Sequence, residues 1–203
     1  MITTLVIKVV IAAVVAYLIG SIPTGYLIVK SATGQDIRQV GSGSTGATNV
    51  KRVMGKKWFF IVLLLDALKG AIPVMIANFV PYLHSNSGLT AVIAAACVLL
   101  GHSKSIYLGF TGGKSVASGV GTILALSPTV GLSIALIWAI ITYASKYVSL
   151  GSIIALALSP ILMFLFNQPI AYVVYCAIGA VYVIYLHREN IKRLLAGTEN
   201  KVR

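Results

Sequence analysis

The chain has 203 residues, of which 58% are hydrophobic and only 10% are charged. This composition excludes an ordinary soluble domain, whose surface needs more charge, and indicates a protein that crosses a membrane several times. Sixteen basic residues outnumber four acidic ones, which gives a formal net charge of +12. Such an excess suits anionic lipid or an anionic substrate, and the apolar composition argues against nucleic acid as a partner.

Seven apolar runs follow one another along the chain, and each is predicted to be a helix. A membrane span needs about 20 apolar residues, and the candidates for spans are Leu5–Val29, Trp58–Val80, Val130–Ser145, Leu150–Phe166 and Ile170–Leu186. Two shorter runs, Leu89–Leu100 and Val116–Leu126, are predicted to form an incomplete hairpin. The predicted fold class is all-α: one integral membrane domain, residues 1–203, built as a bundle of about seven helices.

The basic residues fall on one side of this bundle. The turns Pro81–Gly88, Ser127–Thr129 and Asn167–Pro169 contain no lysine or arginine, whereas fourteen of the sixteen basic residues lie in the segments at the opposite ends of the helices. The positive-inside rule assigns the basic side to the cytoplasm. We therefore expect the N-terminus outside, the C-terminus inside and a location in the bacterial inner membrane.

A glycine-rich segment, Gly109–Ser115, lies between the two short helices. Gly112 and Gly113 expose backbone N–H groups, Lys114 adds a full charge, and the helix that starts after Ser115 adds its positive dipole end. The segment is not a Walker loop, because Leu108 stands where that motif has glycine and no strand precedes it. It is predicted to be a phosphate-binding loop recessed into the bilayer.

A second polar cluster spans residues 35–52 and contains a formal G-x-G-x-x-G at Gly41, Gly43 and Gly46. A dinucleotide site is excluded because no βαβ unit surrounds it, and a flexible Gly/Ser linker is the alternative. The cluster is dense in hydrogen-bonding groups that can serve one phosphate: Gly41, Ser42, Gly43, Ser44, Thr45, Thr48, Asn49, Lys51 and Arg52.

Ionisable residues also fall within or beside the apolar runs. Asp66 and Lys69 lie three positions apart in the second long run, either as part of a site or as an internal pair that fixes helix packing. His102 stands at the end of a short helix, where it is either an interfacial residue or a substrate contact. After the last run, His187 and Asn190 share one helical face, and a plain basic tail that binds lipid explains the neighbouring charges.

Taken together, three motifs resemble one family. G-S-G-S-T-G-A-T-N-V-K-R at 41–52, G-H-S-K-S-I-Y-L-G-F-T-G-G-K-S at 101–115 and H-R-E-N-I-K-R-L at 187–194 are similar to the cytoplasmic motifs of the bacterial acyl-phosphate:glycerol-3-phosphate acyltransferases, the PlsY family. The likeness covers essentially the whole chain. Ser44 stands where the family usually has Asn, and Ser115 stands where it usually has Gly, a residue that adopts positive φ more readily.

The resemblance implies an enzyme that transfers an acyl group from acyl phosphate to the 1-hydroxyl of sn-glycerol 3-phosphate, releasing lysophosphatidic acid and phosphate. It implies no cofactor, no metal, no acyl carrier and no obligatory protein partner. Ser42, Arg52, His187 and Asn190 are then the expected catalytic residues, and Glu189 and Asp66 support the site. The expected substrate-binding residues are Gly41, Gly43, Thr48, Asn49, Lys69, His102, Gly112, Gly113, Lys114 and Ser115.

Two points stay open at this stage. The proton of the glycerol hydroxyl can go to His187 or to an acyl-phosphate oxygen. An organic-phosphate transporter is the alternative function, since recessed short helices and helix-end anion sites also occur in transporters. A purely structural membrane anchor leaves the three polar clusters unexplained.

Overall fold

The structure, a computed structural model, describes residues 2–80, 83–84 and 88–202. Within these residues the chain is all-helical and has no β-strand, only an isolated bridge between Ser105 and Thr111. The predicted all-α fold class is therefore confirmed. The chain forms two compact units, Met1–Thr122 and Ile123–Arg203. The prediction of one domain stays a prediction.

Six α-helices begin in the first unit. They are α1 (Ile2–Ser21), α2 (Thr24–Thr33), α3 (Ala47–Met54), α4 (Lys56–Phe79), α5 (Leu89–Ser103) and α6 (Val116–Leu126). Short 3-10 helices cover Ile37–Gln39 and Ile106–Leu108. α5 packs against both α1 and α4, and α3 packs against α4. The two polar loops that are predicted to bind phosphate, between α2 and α3 and between α5 and α6, thus belong to the same unit.

The first predicted helix, Leu5–Val29, is divided in the structure. α1 ends at Ser21 and α2 begins at Thr24, because Pro23 has no N–H to continue the helical bonds. The carbonyl of Ile22 instead accepts the Thr24 N–H at 3.0 Å. The two helices still make one apolar stretch, Thr3–Thr33, that is long enough to cross a membrane.

Glycines bring α1 and α5 into close contact. A Cβ on Gly20 of α1 would collide with the backbone of Val98, and one on Gly101 of α5 would collide with the backbone of Tyr17 and Ser21. Small residues at helix contacts are the usual means by which membrane helices pack, because lipid offers no hydrophobic drive for association. These glycines hold α5, and with it the start of the second polar loop, against α1.

The second unit consists of the end of α6 and four further helices. They are α7 (Pro128–Ser145), α8 (Val148–Leu165), α9 (Ile170–Leu186) and α10 (Arg188–Leu195). α8 packs between α7 and α9, and α10 contacts α8 and α9. The chain bends by 62° between α9 and α10, at His187. The bend separates the apolar α9 from the basic α10.

The helix lengths agree with a multi-pass membrane protein. Four apolar stretches in the described part of the chain can each span a membrane by length and composition, or five if α9 and α10 count as one bent span. α5 and α6 are shorter apolar helices, as predicted. The count of seven membrane helices stays a prediction. Of the predicted turn Pro81–Gly88, residues 81, 82 and 85–87 lie outside the described residues.

Large apolar side chains remain exposed along the long helices. On α7 they follow helical spacing at Leu132, Leu136, Ile140 and Tyr143, which are 58–78% exposed. A protein in water buries such a stripe, whereas in a bilayer the stripe meets lipid tails at no cost. The exposed apolar surface therefore supports the membrane environment that the composition predicts.

Candidate active site

The loop between α2 and α3 is built around one buried side chain. Asn49 of α3 donates from Nδ2 to the carbonyls of Ile37 (3.3 Å), Val40 (2.9 Å) and Ser44 (3.0 Å). Its Oδ1 accepts the N–H of Ser42 at 3.1 Å. Because one side chain binds four backbone groups spread over residues 37–44, Asn49 fixes the loop conformation. The side-chain amide of this predicted substrate ligand is thus directed to the backbone of the loop.

The glycines of this loop meet two different demands. Gly41 and Gly43 have φ of +61° and +69°, which side-chain-bearing residues rarely adopt. A Cβ on Gly41 would also collide with Oδ1 of Asn49. The glycines let the backbone wrap around Asn49 and leave Ser42 exposed at the turn.

Arg52 follows the loop on α3, with its side chain exposed. All four acidic residues lie in the described part of the chain, and their ion pairs are with other residues. A guanidinium with no carboxylate partner is suited to bind an anion from solution. Thr48 is half-buried one turn earlier on α3.

The loop between α5 and α6 contains the predicted phosphate-binding glycines. The N–H of Gly113 donates to the carbonyl of His102 at 3.1 Å, which ties the loop to the end of α5. A Cβ on Gly112 would collide with that same carbonyl, and one on Gly113 would collide with the His102 imidazole. Only glycine fits at either position, and the chain then reaches the half-buried Lys114 just before α6.

Ser115 occupies a backbone position that normally favours glycine. Its φ is +58°, in the left-handed region. Its Oγ donates to the carbonyl of Leu99 at 2.7 Å, and the residue is fully buried. The hydrogen bond therefore compensates part of the backbone strain. The hydroxyl faces the protein, which argues for a structural role of this predicted substrate ligand.

A buried polar cluster lies behind the second loop. Lys69 Nζ is 2.7 Å from Asp66 Oδ1 and donates to the carbonyl of Ile22 at 2.7 Å. Nδ1 of His102 lies 3.1 Å from Ser118 Oγ and 3.8 Å from Asp66 Oδ1. The predicted internal pair of Asp66 and Lys69 is thus present in the structure. Since His102 also contacts Gly112 and Gly113, the cluster supports the loop between α5 and α6.

The two loops of the first unit meet at one open cleft. Its volume is about 340 Å³, and its lining residues are Asp36, Arg38, Gln39, Gly43, Thr111 and Gly112. Gly43 belongs to the polar cluster at residues 35–52, and Gly112 belongs to the glycine-rich segment Gly109–Ser115. The structure therefore brings the two predicted phosphate-binding motifs together on the walls of a single cavity.

Arg38 and Asp36 line this cleft and were absent from the predicted site. Arg38 donates from Nη2 to Asp36 Oδ2 at 2.6 Å and lies over the Tyr26 ring at 5.2 Å. The side-chain hydrogen bond from Arg38 lowers the pKa of Asp36 to about 2. Asp36 and Arg38 lie at the start of the polar cluster at residues 35–52, which also contains Gly41. Their position in that cluster could have identified them from the sequence.

The third motif, at residues 187–194, lies in the second unit. His187, at the bend between α9 and α10, is buried, and its Nδ1 lies 2.8 Å from the carbonyl of Val183. A carbonyl can only accept, so Nδ1 carries the proton, and in the neutral ring the lone pair is on Nε2. Glu189 is exposed and pairs with Lys192 at 3.2 Å.

Asn190 is also buried, and a residue from the C-terminal tail binds it. Its Nδ2 donates to Oε1 of Glu199 at 2.7 Å. Glu199 also accepts from Ser149 at 2.9 Å and from Arg193 at 2.7 Å. Burial raises the pKa of the Glu199 carboxyl, but the hydrogen bonds from Asn190, Arg193 and Ser149 outweigh it and the net pKa is lowered. Sequence reasoning did not select Glu199, because nothing local marks a tail residue as a partner of α8 and α10.

No group of three His, Cys, Asp or Glu residues within the described ranges is placed to hold a metal ion. The chemistry available in the first unit is that of backbone N–H groups, hydroxyls and cations around an open cleft. Such groups bind and stabilise phosphate and developing negative charge.

Comparison with known proteins connects this arrangement to a family. A family model described as glycerol-3-phosphate acyltransferase matches residues 10–197. A curated "Glycerol-3-phosphate acyltransferase" from Nostoc sp. (strain PCC 7120 / SAG 25.82 / UTEX 2576) is 47% identical, over 93% of this chain and 89% of that protein. Another of the same name from Acholeplasma laidlawii is 37% identical, over 96% and 93%.

Two solved structures have the same fold. One is the glycerol 3-phosphate form of PlsY (YgiH), an integral membrane glycerol 3-phosphate acyltransferase, with a TM-score of 0.89, 39% identity and 96% coverage of each chain. The other is its lysophosphatidic acid form, with a TM-score of 0.86, 37% identity and coverage of 96% and 95%. The resemblance seen in the three motifs is confirmed, and the chain belongs to the glycerol-3-phosphate acyltransferase family of integral membrane enzymes.

Proposed function

We propose that this chain transfers a fatty acyl group from acyl phosphate to the 1-hydroxyl of sn-glycerol 3-phosphate, forming lysophosphatidic acid and inorganic phosphate. The observation that carries the proposal is the cleft of the first unit, where Gly43 of one glycine-rich loop and Gly112 of the other lie on the same walls. Both substrates carry phosphate, so two anion-binding loops around one cavity are what their joint binding requires.

Acyl transfer requires the enzyme to position the two substrates more than to activate them, because the acyl donor is already activated. Acyl phosphate is a mixed anhydride, so the glycerol oxygen can attack its carbonyl carbon directly while the bond to the phosphate oxygen breaks. The protein has to stabilise negative charge on the carbonyl oxygen and on the departing phosphate. A covalent acyl-enzyme is unnecessary, and we assign Ser42 to orienting a reacting group rather than to nucleophilic attack.

Most of the remaining predicted residues divide into three roles. Arg52, which has no carboxylate partner in the described chain, and Lys114 hold phosphate oxygens together with the N–H groups of the glycine loops. Asn190 orients the carbonyl or the hydroxyl. Asn49, Ser115, Lys69 and His102 keep these groups in place, since their polar atoms have partners in the protein.

The proton of the attacking hydroxyl goes to His187 or to a phosphate oxygen of the donor. The hydrogen bond from Nδ1 to Val183 supports His187 as a candidate, because it leaves Nε2 as the basic atom of the neutral ring. Replacing His187 by Gln separates the two routes. Loss of kcat by about 100-fold or more is expected for an obligatory base, whereas retention of most of kcat assigns the proton to the substrate.

We further propose seven membrane helices, with the N-terminus outside and the polar loops facing the cytoplasm of the bacterial inner membrane. The distribution of basic residues supports this orientation. The acyl chain of the donor stays in the lipid, and water-soluble glycerol phosphate enters from the cytoplasm. The reaction then requires acyl phosphate, glycerol 3-phosphate and membrane lipid, but neither nucleic acid nor a protein partner.

The deciding experiment supplies purified protein in lipid with palmitoyl phosphate and labelled glycerol 3-phosphate. We expect lysophosphatidate and phosphate in equal amounts, and a loss of about 100-fold or more in Lys114→Ala. Lys57→Ala, an exposed lysine at the start of α4, is the matched control and keeps its activity. If well-folded protein forms neither product from palmitoyl phosphate, the acyl-phosphate proposal is wrong. Accumulation of unmodified glycerol phosphate in sealed vesicles would then favour a transporter.

A further inference from the structure

The C-terminal tail of the second unit ends in a buried ionic cluster. The Glu199 carboxylate accepts hydrogen bonds from Ser149 of α8 and from Asn190 and Arg193 of α10. Its side chain is only 6% exposed, although it belongs to the irregular segment after the last helix. A carboxylate that is removed from water needs such donors, because an unpaired buried charge is costly.

The tail is turned back to reach this position. After α10, Gly197 adopts φ of +67°, and the N–H groups of Gly197 and Thr198 donate to the carbonyls of Leu194 and Arg193. This is the Schellman ending of a helix, in which glycine reverses the chain. Further on, the N–H of Val202 donates to the carbonyl of Lys146 at 2.8 Å. Glu199 is therefore held between two backbone anchors.

The bond to Glu199 restricts the amide of Asn190. An asparagine amide can rotate by half a turn, which exchanges its donor and its acceptor. The lowered pKa keeps Glu199 ionised at neutral pH, and an ionised carboxylate only accepts. The NH2 group of Asn190 must then face Glu199, and the carbonyl oxygen of the amide must lie on the other side.

We propose that Glu199 is a positioning residue for acyl transfer, which acts by holding the Asn190 side chain in one amide orientation. The proposal rests on the proposed role of Asn190 in the reaction. Arg193 and Ser149 complete the arrangement, since they donate to Oε2 and Oε1 of the same carboxylate and keep it from rotating. A tail residue outside the three motifs thereby sets the geometry of one of them.

A double-mutant cycle between Glu199 and Asn190 tests the proposal. We expect Glu199→Ala to lower kcat for acyl transfer by about 10- to 100-fold with little change in KM, as for other losses of alignment. Asn190→Ala should lower kcat at least as much. The double variant should be no slower than Asn190→Ala, because a residue that acts only through Asn190 has nothing left to position.

Controls separate this role from plain stabilisation of the tail. Lys201 lies in the same C-terminal tail as Glu199, with its ammonium group 5.7 Å from the centre of the Tyr147 ring. Lys201→Ala removes this cation and should leave kcat unchanged. Glu199→Gln keeps the shape but not the charge, and it replaces Glu199→Ala if the latter fails to fold. Independent, additive losses in the double variant would overturn the proposal, as would an unchanged or raised kcat in the Glu199 variants.

A second readout does not depend on turnover. In protein with isotope-labelled asparagine, the side-chain amide signals of Asn190, assigned by their loss in Asn190→Ala, should shift and exchange faster with water in Glu199→Gln. They should be unaffected in Lys201→Ala. Unchanged signals in Glu199→Gln would disprove the contact itself. If wild-type protein shows no acyl transfer while these signals respond as expected, the contact stands and the proposed function fails.

Discussion

Ser115 lies in the loop between α5 and α6, and the structure shows two opposing effects on its stability there. The left-handed backbone at φ +58° destabilises any residue with a Cβ, whereas the hydrogen bond to Leu99 stabilises serine in particular. The carbonyl of Leu99 also accepts from Ser103 Oγ at 2.9 Å, so loss of the Ser115 hydroxyl does not leave it unpaired.

We predict that Ser115→Ala is less stable than Ser115→Gly. The alanine variant loses the hydrogen bond and keeps the strain, and the glycine variant loses both. The difference should be about 1 kcal/mol in the free energy of unfolding, measured by thermal unfolding in detergent. Equal stability of the two variants would contradict the conclusion that the left-handed backbone at residue 115 is strained for residues with a Cβ.

The hydrogen bonds of Asn49 predict the effect of replacing it on stability and on acyl transfer. Asn49→Ala takes one of two donors from the Ile37 and Val40 carbonyls, which also accept backbone N–H groups. It removes the side-chain partner of the Ser44 carbonyl and of the Ser42 N–H. Leaving such groups unsatisfied costs about 1–3 kcal/mol each, so both stability and acyl transfer should fall. Asn200→Ala, on an exposed tail residue, is the matched control and should behave as wild type in the same two assays. A stable but inactive Asn49→Ala protein would instead favour direct substrate contact.

Sequence reasoning selected candidate site residues by the kind of hydrogen-bonding group that they carry. It selected Asn49, Lys69 and Ser115 as substrate ligands, because their types and positions fit an anion site. In the structure their polar atoms bind protein partners. A sequence gives the kind of hydrogen-bonding group, but whether that group faces substrate or backbone depends on contacts between segments that are distant in the chain.

Among the helices, the close packing of α1 against α5 depends on two glycines, Gly20 and Gly101. We predict that Gly101→Leu lowers the free energy of unfolding by about 3 kcal/mol or more, because the added side chain would meet the backbone of Tyr17 and Ser21. Val14→Leu, on the exposed face of α1, should change stability little. Thermal unfolding of both variants in the same detergent compares them.

The bounds of helices were predictable where the sequence changes character sharply. α6 and α9 have the bounds that the apolar runs Val116–Leu126 and Ile170–Leu186 predict. The break after α1 was missed, since Pro23 lies within an apolar run of sufficient length for one span. The folding of the tail onto α8 and α10 was missed too, because it depends on buried polar contacts that leave no periodic pattern in the sequence.

At the scale of the whole molecule, the charge distribution predicts an orientation that labelling can test. In a protein whose Cys97 and Cys176 are replaced by Ala, Asn200→Cys should react with a membrane-impermeant thiol reagent only in inverted vesicles. Gln168→Cys, on the turn without basic residues, should react only from the opposite side. Reaction of both positions from the same side would exclude the proposed arrangement.

At the break between α1 and α2, the carbonyl of Ile22 accepts a hydrogen bond from the Lys69 ammonium group. This contact affects the insertion of the protein into the membrane during synthesis. Ile22 precedes Lys69 in synthesis, so the acceptor for the ammonium group is already in the membrane when α4 arrives. Asp66 lies on α4 together with Lys69 and pairs with it. This pairing lowers the free-energy cost of inserting the two charges into hydrocarbon. In a translocon assay that scores glycosylation of flanking sites, we expect Asp66→Ala to insert less completely than the double variant Asp66→Ala/Lys69→Ala. A lone lysine, rather than polarity in general, would then be the obstacle to biogenesis.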